Sequence, residues 1–139
     1  MRRLVIDTNI YIDWLNRGLH EEVLFQRGTL KYLSAIVQME LRAGALSLRD
    51  RRLVRRVETP FEKAGRILTP APRLFAEAGD VLRRLQVERD YDPAGSHAIV
   101  GDVLIALSAR SIGATVVTQN ERDYRAIRSV RRFQLVIVS

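Results

Sequence analysis

Cysteine is absent, which excludes disulfides, thiolate metal sites and cysteine nucleophiles and suits a reducing compartment. No apolar run approaches the length that spans a bilayer, and no signal-peptide pattern occurs, so the chain is expected to work in the cytoplasm without a membrane partner. Low-complexity tracts, internal repeats and linker stretches are missing as well. Residues 1–139 therefore read as a single domain, long enough to bury roughly two-thirds of its unfolded surface. Lysine is scarce: of 23 basic residues, only Lys31 and Lys63 are not arginine.

What is present is a hydrophobic fraction of 47%, enough for a globular core, and an excess of 23 basic over 16 acidic residues that leaves a formal charge of +7. Guanidinium forks match phosphate oxygens bidentately, so an arginine-rich surface suits a nucleic-acid partner. Coding bias in a GC-rich genome produces the same composition with no partner at all. The charge lends modest support to a polyanion and no more.

Hydrophobic periodicity then orders the chain. Leu4-Val5-Ile6 is a strand-forming run that ends abruptly in Asp7-Thr8-Asn9 and leads into the helical pattern Ile10 to Leu15. Asp7 thus falls at the carboxyl end of a strand, where open α/β sheets form their ligand sites, and it is equally suited to cap the following helix. A turn at Asn16-Arg17-Gly18, a short helix over 20–25 and a strand over Lys31–Ser34 come next. His20, without a partner in the pattern, is expected at the surface. A helix over Ala35–Leu46 carries Ile36, Val37, Leu41 and Gly44 on one face, with Glu40 on or beside it. A carboxylate placed there needs a cation, whether a metal ion or an arginine.

Leu46, Leu53, Val54 and Val57 read as the apolar stripe of another helix, with Arg51, Arg52, Arg55 and Arg56 on its other side. This arginine-rich stretch over 49–56 is either solvated or in contact with RNA or a protein. A brief strand over Arg66–Thr69 precedes a helix started by Pro70 and Pro72, whose stripe is Leu74, Phe75, Ala78, Val81, Leu82 and Leu85. Asp90 to His97 form a loop whose Asp92 and His97 are either accessory to a site or merely solvated. A helix from about Ile99 to Ser111, capped by Gly113, places Asp102 in its first turn and on the face of Ile105, Ala106 and Ala109. Thr115 to Thr118 form a strand, Asn120 and Asp123 suit a capping arrangement, and Phe133–Val138 is a strand apolar enough for burial on both faces. Strands alternating with helices predict an α/β fold with a parallel sheet between helical layers.

Asp7, Glu40, Asp102 and Asp123 lie on four different elements and can meet only through the fold. Four carboxylates in one cleft repel one another and raise each other's pKa unless a cation offsets them. Hard oxygen donors without histidine or cysteine select Mg²⁺ or Mn²⁺. Phosphodiesters are a natural substrate for such a centre, because divalent ions generate hydroxide and neutralise charge on attacking and leaving oxygens.

Asp7-Thr8-Asn9, Ser34 to Glu40-Leu41 with Gly44, Gly101-Asp102-Val103-Leu104-Ile105-Ala106 and Thr118-Gln119-Asn120-Glu121-Arg122-Asp123-Tyr124 together resemble the motifs of PIN-domain ribonucleases, most closely the VapC toxins of prokaryotic toxin–antitoxin modules. The likeness spans the chain in order. It implies a PIN-like three-layer α/β/α sandwich, and Mg²⁺ or Mn²⁺ bound by Asp7, Glu40, Asp102 and Asp123 as catalytic acids. Thr8, Asn9, Thr118 and Asn120 match the polar residues that orient them. It further implies RNA cleavage leaving a 5′-phosphate and a 3′-hydroxyl, a homodimer, and a small antitoxin whose tail lies in the groove. Gly101 departs from the pattern, which commonly has a polar residue there.

Three other readings compete. A receiver domain of the response-regulator type needs a lysine at the end of its last conserved strand, and neither Lys31 nor Lys63 is near Thr118 or the terminal strand. A non-catalytic PIN domain is disfavoured by the presence of all four acids. A PIN nuclease of RNA processing or quality control, without an antitoxin, differs from a toxin in biology and not in chemistry.

Overall fold

The computed structural model describes residues 1–92 and 97–139, the side chain of His97 excepted. Five parallel strands form the sheet, in the order β3-β2-β1-β4-β5: β1 (Arg2–Ile6), β2 (Thr29–Ser34), β3 (Ile67–Leu68), β4 (Thr115–Thr118) and β5 (Gln134–Ile137). The chain runs from β1 out to β2 and β3 on one side, then returns to add β4 and β5 on the other. The strand order therefore reverses between β1 and β4. In a parallel sheet such a switch point leaves a crevice outside the carboxyl ends of the two strands.

Helices α1 (Thr8–Arg17), α2 (Glu21–Leu24), α3 (Ala35–Gly44), α4 (Leu48–Ala64), α5 (Pro72–Arg89), α6 (His97–Ser111) and α7 (Glu121–Val130) flank the sheet, which makes the expected α/β/α sandwich. Burial explains the central positions of β1 and β4. Leu4, Val5 and Ile6 are buried, as is every residue of β4, which is what strands covered on both faces of a parallel sheet require. α6 is the helical counterpart, buried without interruption from Asp102 to Ala109. Among the described residues no helix is long and apolar enough to cross a membrane.

The fold corrects several expectations. β5 is an edge strand, so Leu135, Val136 and Ile137 are half-buried despite their apolar run. α3 stops at Gly44, and Leu46, in the link to α4, is 86% exposed and belongs to no stripe. Phe75 is 54% exposed because Leu74, Ala78, Val81 and Leu85, spaced by four, three and four, already face the core. α6 begins at His97, so Asp102 lies beyond its first turn and the helix dipole does not account for it. His20 is buried, with Nε2 3.5 Å from Asp13 Oδ2 and 3.1 Å from Gln119 Nε2.

The arginine face of α4 is partly an internal device. Glu58 is fully buried, receives Arg42 Nε and Nη2 at 2.6 and 3.0 Å and Arg55 Nη1 at 3.2 Å, and ties α4 to α3. Both arginines are half-exposed, whereas the carboxylate is not. Stranding a buried charge is the costlier way to break such a pair. Arg42→Ala combined with Arg55→Ala is therefore expected to lower the urea midpoint further than Glu58→Leu, which removes the charge and fills its space. Equal midpoints would show that leaving the Glu58 carboxylate without its arginines costs no more than removing it.

Candidate active site

Asp7 directly follows β1, and Thr118 closes β4 beside it, so the switch-point crevice begins with this pair. The Asp7 amide donates to Val117 O at 2.9 Å, continuing the ladder past the strand. Its buried carboxylate accepts from Thr8 N at 2.8 Å as the N-cap of α1, and from Thr118 Oγ1 at 2.7 Å across the crevice. The cap and the site residue are one and the same: capping consumes one oxygen of Asp7, and the other faces β4.

Three side chains then connect the remaining acids. Thr8 Oγ1 donates to Glu40 Oε1 at 2.8 Å, so the partner of Glu40 is a threonine and not an arginine. Asn120, the N-cap of α7, accepts from Asp123 N at 3.4 Å and turns its amide nitrogen between Asp102 Oδ2 at 3.2 Å and Asp123 Oδ2 at 3.0 Å. Thr118 Oγ1 also accepts from Asn120 N at 3.0 Å, which links the Asp7 end of the crevice to α7. Thr8, Thr118 and Asn120 therefore each hydrogen-bond to one or more of the acids, while among the described residues Asn9 makes no hydrogen bond to any of them. The missing side chain of Gly101 marks where α6 passes α3: a Cβ built there would lie 3.6 Å from Glu40 Oε2.

Electrostatics mark the crevice as short of positive charge. Burial, followed by the carboxylates of Asp7, Asp123 and Glu40, pushes the Asp102 carboxyl up to about 8. Asp7 is raised by burial despite its donors, and Glu40 is raised by burial and by Asp7. Tyr124 was not foreseen. It is fully buried, its hydroxyl stands among Asp7, Asp102 and Glu40 without a well-aligned partner, and burial with those charges raises its pKa far above the usual range. Tyr91, which the sequence left in a loop, donates to Asp123 Oδ1 at 2.8 Å. Neither tyrosine follows a spacing that could have announced it. The expectation for His97 falls on a side chain that, like residues 93–96, lies outside the described residues.

A hard divalent cation suits this donor set of carboxylates, and the raised Asp102 shows the charge it would offset. The acids face one crevice, yet among the described residues no three carboxylates stand close enough together to enclose an ion without moving.

The fold is thus a parallel α/β domain whose switch point is lined by acids from four parts of the chain. The chain belongs to the PIN domain family, whose pattern matches residues 4–129. Solved structures of similar fold include VapBC2 from Rickettsia felis bound to a DNA fragment from their promoter, with a TM-score of 0.71, 18% identity and 99% of each chain covered. DNA-bound VapBC from Salmonella typhimurium has a TM-score of 0.69 and 24% identity over 99% of this chain and 98% of that one. VapBC-5 from Mycobacterium tuberculosis, a member of the VapBC family of toxin–antitoxin systems, has a TM-score of 0.62 and 19% identity over 99% and 100%. At these identities the likeness is one of fold. A search of curated protein sequences finds no match.

Proposed function

We propose that the chain is a metal-dependent endoribonuclease, the toxin of a toxin–antitoxin pair, acting in the cytoplasm as one PIN domain over residues 1–139. The observation that carries this reading is the hydrogen-bonded set in which Thr8, Thr118 and Asn120 bind acids from four elements at the β1–β4 crevice. Asp7, Glu40, Asp102 and Asp123 would hold Mg²⁺ or Mn²⁺. When bound, such an ion supplies Lewis acidity toward water and toward phosphate oxygens. Thr118 and Thr8 orient Asp7, Thr8 orients Glu40, and Asn120 keeps Asp102 and Asp123 at a fixed separation. A formal charge of +7 favours a polyanionic substrate, and RNA is the one the family resemblance favours.

The antitoxin is proposed from the neighbouring VapBC structures and from a hollow beside Glu40. A cavity of about 150 Å³ between α1, α3 and α4 is lined by Ile12, Leu15, Leu41, Leu53 and Val54 together with the polar Asn16, Glu40 and Asp50. A small protein seated there would reach the crevice. A second copy of the chain, which the family resemblance implies, completes the proposed assembly.

Purified protein is expected to cleave RNA with Mg²⁺ or Mn²⁺ and to stop when EDTA is added, with 5′-phosphate ends on the products. Cleavage that persists under full chelation would remove the cation from the mechanism.

A further inference from the structure

The segment between α5 and α6 brings to the acids a side chain that belongs to none of the sequence patterns. α5 closes on Asp90, whose φ of 58° is left-handed, and the Tyr91 amide donates to Leu85 O at 3.2 Å. That turn carries the half-buried ring of Tyr91 to the start of α7, where its hydroxyl reaches Asp123 Oδ1 at 2.8 Å. Asn120 Nδ2 donates to the other oxygen, Oδ2, at 3.0 Å. Both carboxylate oxygens of Asp123 are thus held by groups from different parts of the chain. The Arg122 guanidinium lies 5.8 Å from the centre of the Tyr91 ring.

The terminal torsion of an aspartate is broad, so rotamer preference alone does not fix how its carboxylate faces a ligand. Here Tyr91 and Asn120 fix it. A phenol does so without bringing positive charge, whereas a lysine or arginine in the same place would compete with a cation. We propose that Tyr91 is a positioning residue that holds Asp123 oriented toward a divalent cation, with Arg122 restraining the ring. This rests on the reading of the four acids as a cation site.

The test is calorimetric titration of Mn²⁺ into EDTA-stripped protein, alongside RNA cleavage measured against Mn²⁺ concentration. Tyr91→Phe keeps the ring, its packing and its stacking, and removes only the donor. It is expected to weaken Mn²⁺ binding roughly ten- to hundredfold, the range seen when a group orienting a ligand is lost. Its kcat should recover as Mn²⁺ is raised, with KM for RNA and the melting temperature of the metal-free protein unchanged. Arg122→Ala, which only frees the ring, should weaken Mn²⁺ binding about two- to fivefold. Parental Mn²⁺ affinity in Tyr91→Phe, or a change in KM alone, overturns the positioning role and leaves the cation site standing. If the parent takes up no Mn²⁺, both this inference and the reading beneath it fall.

Discussion

Asp7→Asn is expected to lose RNA cleavage by at least ~10³-fold, since a carboxylate that holds the cation supports several kcal/mol of transition-state stabilisation. The fold should survive the change. Asn keeps the shape, its carbonyl can still accept from Thr8 N, and its amide can face Thr118 Oγ1. Burial already disfavours the charged form of Asp7, so removing the charge relieves a cost of the metal-free fold. Single-turnover cleavage and a thermal melt in EDTA check the two halves: the rate should collapse while the melting temperature holds or rises. A variant that cuts at the parental rate would take Asp7 out of the chemistry.

The second large effect concerns pH. Asp102 titrates near 8 in the folded chain and near 4 when unfolded, so between those values the folded state binds the extra proton. Stability of the metal-free protein should accordingly be highest below about pH 4 for this group, fall as pH rises, and reach its full loss above about 8, the sign opposite to that of a salt-bridged acid. Asp7 and Glu40, also raised, act in the same direction. Asp102→Asn should therefore raise the melting temperature in EDTA at pH 8, on the order of 10 °C for a difference of several kcal/mol, and change little at pH 4. Mn²⁺ should stabilise the parent more at pH 8 than at pH 5, because it binds the ionised acids. A melting temperature in EDTA that is flat from pH 5 to pH 8 would show that the acids are not coupled as their burial requires.

Much of the site was legible because its residues interrupt regular patterns. Asp7 ends an apolar strand, Glu40 sits beside an apolar helical face, and Asn120 and Asp123 stand at a capping spacing. Such local irregularities survive in one dimension. Tyr91 and Tyr124 do not interrupt anything. Tyr91 reaches Asp123 across 32 positions of chain, and Tyr124 reads as an ordinary core aromatic until its hydroxyl is found among three acids. Glu58 was hidden for a related reason, since a carboxylate in an arginine-rich helix looks solvated until α3 packs over it.

By itself the sequence determined the alternation of strands and helices and the parallel sheet, because hydrophobic period and chain order are local properties of the polymer, and it marked four acids as candidates. Only the tertiary structure decided that β5 is an edge, that the crevice opens between β1 and β4, and which donor serves each acid. Those facts depend on strand order and on contacts between distant segments. Burial and like charge act through space, so their effect on Asp102 exists only once Asp7, Glu40 and Asp123 have been brought to the same crevice.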